Sequence, residues 1–552
     1  MRAALLLVAL AAAAAIGTGP AAAAGSRVAV GIADGVSVDA VADRVEAATG
    51  GTVDRSLEPV GAIVVTVTDA DAAAPALASL PGVEYAEPIE RSRRLAFMPS
   101  DPLAFLQWYL PSIRAFDFWE APPTDLPPVR VAIVDSGVQA DHPDLQGRIV
   151  TTRSFVGGRA TEDTVGHGTL IAGEIAAFAN NDRGVAGIGL PVELIVAKVV
   201  DASGGITVEA EAKAIRWAVD NGAQVINLSL GGRRDPVNPA FDQYSALEQD
   251  AVEYAYAHGA VIVAATGNCQ GPPCPYGYAS YPAALPHVIG VSAMTQAGSA
   301  ASFSNRDAVY NDLIAPGTGI ISTFPEALTD PQCLYPGYSF CALPLYRTGD
   351  GTSFSAPLVT AAVALMLATR PSVTTSQIMR ILQTSATDLG PSGRDAANGA
   401  GLLNIEEALR QVLADPLPAA DSRELNDDGT RTNGDARKAS HSLYGSRPKL
   451  TATIDYFDDP SDVYRVYLRR GRTATLSLTG LDGTKPMIVL WRPGIQHVTE
   501  VTRLAVRSGS VLRFGKGASV TLRYRVARTG WHYVEVKAPS RKGGAYRLAI
   551  AK

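Results

Sequence analysis

Three residues that can together carry out acyl transfer stand in short, sharply punctuated segments. They are Asp135 in Val131-Ala132-Ile133-Val134-Asp135-Ser136-Gly137, His167 in Gly166-His167-Gly168-Thr169, and Ser353 in Gly351-Thr352-Ser353-Phe354-Ser355-Ala356-Pro357. A serine hydroxyl is a weak nucleophile at neutral pH. A histidine must therefore take its proton during attack on a carbonyl and return it to the leaving group. Asp135 would orient the imidazole and stabilise its charged form. The oxyanion needs fixed donors: Ser353, predicted at a helix start, offers its own backbone N–H, and Asn268 in Ala264-Ala265-Thr266-Gly267-Asn268 offers a side-chain amide just past a buried strand. Taken singly, a strand-end aspartate, a satisfied histidine and a helix-capping serine are common structural features. Their joint occurrence in this order is what points to chemistry.

The elements that must position these groups are legible in the hydrophobic pattern. Short Val/Ile-rich runs at 129–134, 193–200, 224–230, 260–265 and 287–293 are almost continuously apolar, as strands buried on both faces are. Helical patterns alternate with them at 170–179, 206–221, 246–258 and 353–369, the last crossed by Pro357 near its first turn. This alternation predicts an α/β domain with a doubly wound, mainly parallel sheet. Asp135 then lies at the carboxyl end of the first buried strand, the edge where ligands and catalytic groups of such sheets gather.

These segments resemble the subtilisin family of serine endopeptidases. Asp135-Ser136-Gly137 continuing into Asp141-His142-Pro143-Asp144-Leu145 is similar to the family's aspartate motif, and Ile226-Asn227-Leu228-Ser229-Leu230-Gly231-Gly232 resembles its substrate-binding strand. Ala315-Pro316-Gly317 and Gly399-Ala400-Gly401-Leu402-Leu403-Asn404 match further family motifs, and the coverage runs from about Asp101 to Leu413. Leu170 stands where a second histidine commonly follows His-Gly-Thr, a position outside the catalytic groups. The resemblance implies a serine endopeptidase with Asp135, His167 and Ser353 as triad, Asn268 as oxyanion donor, and Ser229, Leu230 and Gly231 binding protein or peptide substrate by strand addition. The alternative is a catalytically inactive secreted binding module that keeps the protease fold. An α/β-hydrolase esterase fits poorly, since Ser353 lacks the Gly-x-Ser-x-Gly elbow, and a zinc protease would need a His-Glu-x-x-His helix.

With 552 residues, 47% of them hydrophobic and 18% charged, the chain has the composition of folded globular domains. Arg2, the apolar run 3–16 and Ala22-Ala23-Ala24 read as a secretory signal (1–24), which predicts a secreted, extracellular protein. Strand and helix patterns at 28–32, 38–49, 62–67 and 70–79 predict a small βαβ-like α+β unit over 25–95. Pro99-Ser100-Asp101-Pro102 reads as a linker into a domain spanning 96–414. Beyond Asp415-Pro416-Leu417-Pro418 the pattern changes to alternation at 463–468, 473–478, 520–526, 532–536 and 546–550, which predicts an all-β, antiparallel sandwich over 421–552. That region holds 24 basic and 12 acidic residues, a net +12, against 24 basic and 42 acidic in the first 420. So split a charge distribution argues against a nucleic-acid-binding body and leaves anionic surfaces as a contact for the C-terminal region. The longest uninterrupted apolar run after the signal is 361–368, too short to span a membrane. No partner subunit is indicated, and a monomer is expected.

The four cysteines, Cys269, Cys274, Cys333 and Cys341, allow three disulfide connectivities in an exported chain. Local pairing, Cys269 with Cys274 and Cys333 with Cys341, is the expected one because each pair sits in a Pro/Gly-rich loop. The family resemblance extends to both flanks. Residues 27–95, ending in Val83-Glu84-Tyr85-Ala86-Glu87-Pro88, resemble the inhibitory propeptide, which implies a self-processing precursor held inactive by its own N-terminal segment. Glu424-Leu425-Asn426-Asp427-Asp428 and Gly530-Trp531-Tyr533 resemble the bacterial pre-peptidase C-terminal domain. The resemblance implies no organic cofactor but structural calcium, with Asp144 and Asn181 in the loop 179–185 matching ligand positions, and Asn426–Asp428 as a further candidate. A plain Asx-rich turn would use the same residues.

Overall fold

The computed structural model describes residues 26–33, 35–89, 97–121, 123–201, 203–238, 240–269, 271, 274–328, 344–418, 441–454, 461–481, 483–495, 506–538 and 544–552. The expected signal sequence, Cys333, Cys341 and Asn426–Asp428 lie outside them. The chain divides into two compact units, Met1–Arg94 and Leu95–Lys552.

The first unit contains β1 (Ser26–Ile32), α1 (Val38–Thr49), β2 (Val53–Asp54), β3 (Ala62–Val67), α2 (Ala70–Ala78) and β4 (Val83–Pro88). Its sheet order is β2-β3-β1-β4, and β1 pairs antiparallel with both β3 and β4. The βαβ-like reading is thereby corrected: the short β2 pairs antiparallel with β3 and turns the chain back before β3 joins β1. Val28, Val30, Val41, Val45, Ile63 and Leu77 form the core of this α+β unit.

In the second unit, α3 (Tyr109–Ser112) leads to β5 (Val129–Asp135), β6 (Ile149–Ser154), α4 (His167–Ala176), β7 (Val192–Lys198), α5 (Val208–Asp220) and β8 (Val225–Leu228). Then follow α6 (Ala246–Ala257), β9 (Val261–Ala265), β10 (Val288–Met294) and β11 (Leu313–Pro316). A small hairpin of β12 (Ile320–Thr323) and β13 (Tyr346–Gly349) precedes α7 (Ala356–Thr369), α8 (Thr375–Ser385) and α9 (Ile405–Leu413).

The seven-stranded sheet has the order β11-β10-β9-β8-β5-β7-β6, and every pairing in it is parallel. Strands alternate their side chains between two cores. Val131 and Ile133 of β5 join the cluster that contains α4 and α7, while Ala132 and Val134 join the cluster of α5 and α6. After β5 the chain builds β6 and β7 on one side, then crosses to β8 on the other. The order therefore reverses between β5 and β8, where a binding crevice opens at the carboxyl ends of the strands.

Helix α7 fills the centre of the first core. With the turn before it, the segment Thr352–Thr369 is long and apolar enough to cross a membrane by length and composition, longer than the run anticipated from sequence, but 89% of it is buried inside the protein. Ser353 does not open α7 as expected. It lies in a 3-10 turn, Thr352–Phe354, and the α-helix begins at Ala356 with Pro357 in its first turn, where its missing N–H costs nothing.

The remaining strands are β14 (His441–Leu443), β15 (Lys449–Ile454), β16 (Ser461–Leu468), β17 (Thr473–Gly480), β18 (Met487–Trp491), β19 (Val511–Lys516), β20 (Ser519–Arg525), β21 (Gly530–Lys537) and β22 (Gly544–Ala551). They form two sheets, β14-β16-β21-β18-β19 and β15-β22-β17-β20, around a shared core. The expected all-β sandwich is present, with one correction to its antiparallel character: β14 pairs parallel to β16. Strand β18 escaped the alternation test because both of its faces are buried, Ile488 and Leu490 in the shared core and Val489 and Trp491 in a second cluster.

Candidate active site

Asp135 ends β5 and His167 begins α4, and the fold brings them into contact. His167 Nδ1 lies 2.9 Å from Asp135 Oδ1 and 3.0 Å from Oδ2. Glycine makes this approach feasible. Gly166 takes φ +90° at the helix start, and a Cβ on Gly168 would collide with the Gly137 carbonyl. The carboxyl of Asp135 is 2% exposed and its oxygen Oδ1 also accepts from Ser136 N–H at 2.7 Å, whereas the imidazole keeps 24% exposure. Burial disfavours the charged imidazole, but the charge of Asp135, its hydrogen bond and the charge of Asp163 outweigh burial and raise the His167 pKa above its ordinary value.

Asp163, which the sequence did not single out, organises this corner. Its Oδ1 accepts from Ser136 Oγ (2.8 Å), Val165 N–H (3.0 Å) and Gly166 N–H (2.8 Å), and its Oδ2 from Thr169 N–H (2.9 Å) and Oγ1 (2.7 Å). Ser136 Oγ in turn accepts from Gly168 N–H at 3.0 Å. One buried carboxylate thus ties the end of β5 to the first turn of α4. The only sequence sign was an Asp placed just before a helix start, the common signature of an Asx turn.

Ser353 Oγ donates to the Ser229 carbonyl at 3.2 Å, and Ser229 Oγ donates back to the Ser353 carbonyl at 2.7 Å. The nucleophile candidate is therefore laced to the segment after β8 rather than hydrogen-bonded to His167. The neighbouring Phe354 ring packs on the His167 ring at 5.4 Å between centroids. Asn227 and Thr360 extend the lacing: Thr360 Oγ1 donates to Asn227 Oδ1 (2.9 Å) and Asn227 Nδ2 to Ser229 Oγ (2.9 Å). Ser229, Leu230, Gly231, Asn268 and Ser353 all line one cleft of about 620 Å³. A disulfide joins Cys269 to Cys274, as expected, and Cys269 lies on the same cleft.

With this geometry in place, comparison with known proteins is decisive. A profile of the subtilase family (Peptidase S8) matches residues 128–401, and one of the fervidolysin N-terminal prodomain matches residues 27–88. Subtilisin DY of Bacillus licheniformis is 38% identical over 283 residues, covering 51% of this chain and 91% of that protein. The chain belongs to the subtilase family. Subtilisin Savinase of Lederbergia lenta is likewise 38% identical over 51% of this chain and 91% of its own length, and thermitase of Thermoactinomyces vulgaris is 35% identical over 55% and 96%. This subtilase is accordingly a serine endopeptidase made with an N-terminal prodomain.

The residues expected to hold calcium also meet in the subtilase fold. Asp144 is fully buried; its Oδ1 accepts from Asn181 Nδ2 (3.1 Å) and its Oδ2 from Val185 N–H (3.1 Å) and Tyr346 OH (2.9 Å). Asp101, read from sequence as part of a linker, joins them: its carboxylate accepts from Asn180 N–H (2.6 Å) and Asn181 N–H (3.2 Å). Burial raises the Asp101 pKa, and the nearby Asp144 charge adds to that, against the lowering effect of the backbone hydrogen bonds. Among the described residues no group of three or more His, Cys, Asp or Glu gathers as a metal site.

Proposed function

We propose that this subtilase hydrolyses peptide bonds through an acyl-enzyme in which Ser353 is the nucleophile, His167 the general base and acid, and Asp135 the group that orients His167. The observation that carries the reading is the Asp135–His167 pair, 2.9 Å apart, set at the sheet edge with Ser353 in the adjacent cleft. Substrate lies as an added strand along Ser229, Leu230 and Gly231, using backbone hydrogen bonds. Ser353 Oγ leaves the Ser229 carbonyl, passes its proton to His167 Nε2 and bonds to the scissile carbonyl carbon. The oxyanion so formed takes hydrogen bonds from Asn268 Nδ2 and the Ser353 backbone N–H. Collapse expels the amine, which receives the proton from His167. Water then repeats the sequence on the acyl-enzyme and releases the acid.

The prodomain acts as folding aid and inhibitor until the enzyme cleaves it from itself. The leading segment directs export, and the protein works outside the cell as a monomer on protein or peptide substrates. The C-terminal sandwich, similar in pattern to the pre-peptidase C-terminal domain, adsorbs to anionic surfaces through its excess of 24 basic over 12 acidic residues in 421–552.

A calcium ion suits the Asp101, Asp144 and Asn181 set. Asp101 and Asp144 are buried carboxylates, and neither makes a salt bridge with Lys or Arg among the described residues. Carboxylate and amide oxygens from these three segments are the hard donors the ion takes; Asn181 would give up its Oδ1 hydrogen bond from Arg183 N–H (2.9 Å) to turn that oxygen to it. Bound there, it would supply structural stability and no catalytic step.

The test is treatment of the purified secreted protein with a serine-directed fluorophosphonate probe, with casein turnover measured in parallel. Labelling and turnover in the native protein, both absent in Ser353→Ala, are expected. Labelling that persists in Ser353→Ala places the nucleophile elsewhere.

A further inference from the structure

Among the described residues that line the cleft beside Ser353, one is charged, and it is a cation. Arg233 follows the Ser229–Gly232 segment directly and lines the hollow together with Gly231, Asn268 and Ser353. A side chain next to a carbonyl held between Ser353 Oγ and Asn268 Nδ2 has this hollow to enter. No aspartate or glutamate is among its described lining residues.

Arg233 is fixed rather than loose. Its backbone N–H donates to Gln243 Oε1 at 2.6 Å, and Gln243 N–H donates to its carbonyl at 2.9 Å. The guanidinium stands 5.1 Å from the Phe241 ring centroid and 5.2 Å from that of Tyr276. Its Nη2 donates to Asp235 Oδ2 at 2.8 Å, yet the Arg233 side chain remains 51% exposed while that of Asp235 is 8% exposed. Asp235 is held behind it, with Oδ1 accepting from Asn238 N–H at 2.9 Å. A guanidinium has five N–H donors, so its hydrogen bonds to Tyr276 and Asp235 leave others for a second carboxylate.

We infer that Arg233 selects substrates bearing glutamate or aspartate immediately before the scissile bond. This rests on the placement of Ser353 as nucleophile proposed above. A lysine or arginine entering the same hollow meets a like charge that Asp235 offsets only in part, and the described lining residues include no carboxylate to receive it.

The test uses the mature protein and peptides that differ only in that residue: Glu, Gln or Lys. In the native enzyme kcat/KM should favour Glu over Lys by about tenfold or more, and Glu over Gln by a smaller factor, both shrinking at high salt. Arg233→Gln should bring the Glu-to-Gln ratio close to unity, Arg233→Lys should keep its direction, and Arg233→Glu should shift preference to Lys. Each ratio is measured within one preparation, so a partly folded variant does not distort it. A native enzyme that cleaves the Lys peptide as well as the Glu peptide overturns the selectivity and leaves the protease reading standing. Failure to cleave any peptide, with no fluorophosphonate labelling, overturns both.

Discussion

Thr352 donates twice to a single atom, Asn268 Oδ1, through its backbone N–H and through its hydroxyl, each at 3.0 Å. An amide whose oxygen is held from two directions has only its Nδ2 left to offer, and that nitrogen makes no hydrogen bond among the described residues. In the proposed mechanism this donor is set before charge develops on the substrate. Asn268→Ala should lower kcat on the order of 100-fold to 1,000-fold with KM little changed, because the lost bond matters chiefly in the transition state. Thr352→Val removes one of the two tethers and should cost much less, about tenfold. Steady-state kinetics normalised to titrated active sites check both, and full turnover in Asn268→Ala would remove this residue from the oxyanion site.

In the proposed mechanism the Asp135–His167 pair sets the acidic limb of activity. The imidazole must be neutral to accept the Ser353 proton, and its pKa is raised, with the Asp135 and Asp163 charges overcoming burial. Activity should therefore be full above that raised pKa and fall as pH drops through it, with the inflection in kcat/KM above the ordinary histidine value of about 6.5. Asp135→Asn removes the largest raising influence. Its limb should move to lower pH while kcat falls by about 10⁴ from loss of the oriented imidazole. A limb that stays in place would mean that another group controls it.

The parallel sheet and the triad candidates were legible because each depends on local pattern. Continuous apolar runs announced β5, β7, β8, β9 and β10; Asp135 ends the first of them, while His167 begins helix α4. Helix α4 begins at His167 rather than Leu170: Gly166 and Gly168 argue against helix by propensity, and their presence is explained by tertiary packing, Gly166 by its φ of +90° against the Phe324 ring and Gly168 by the Gly137 carbonyl. Asp101 was hidden for the opposite reason. Pro99-Ser100-Asp101-Pro102 has linker composition, and its value lies in the distant Asn180 and Asn181 N–H groups, which no local pattern reveals. Asp163 looked like any turn aspartate. Five of the nine described strands of the sandwich announced themselves by alternation; β14, β15, β18 and β19 did not, β18 because both of its faces are buried.

Asp101 and Asp144 provide a test for the ion. If calcium binds between these carboxylates and the loop 179–185, chelator should lower the thermal unfolding midpoint, and added calcium should restore it; saturation at 100 times Kd stabilises by about 2.7 kcal/mol. Asp101→Asn should unfold at a lower temperature in calcium and lose most of the chelator effect. Magnesium should not substitute, since it demands a tighter octahedral shell. A midpoint indifferent to chelator in the native protein would leave the loop as an Asx-rich turn.

Glu174 supplies a prediction about stability that runs against its helix position. It lies in α4, is fully buried, and neither carboxyl oxygen finds a hydrogen-bond partner among the described residues. Burial raises its pKa well above the usual glutamate value, so the folded protein holds this proton at pH values where the unfolded chain has released it. The sign follows from linkage. A raised folded pKa contributes stability that is fully present below the unfolded value and is lost as pH rises through the folded one. Replacing the carboxyl with an apolar group of similar length removes that loss. Glu174→Met should stabilise the protein by about 1–3 kcal/mol at alkaline pH, with a smaller gain at mildly acidic pH. Unfolding midpoints at both pH values, measured in a Ser353→Ala background to prevent self-digestion, give the answer. A destabilisation of equal size at both would show that Glu174 holds a buried polar network together, and that its burial is a requirement of the fold.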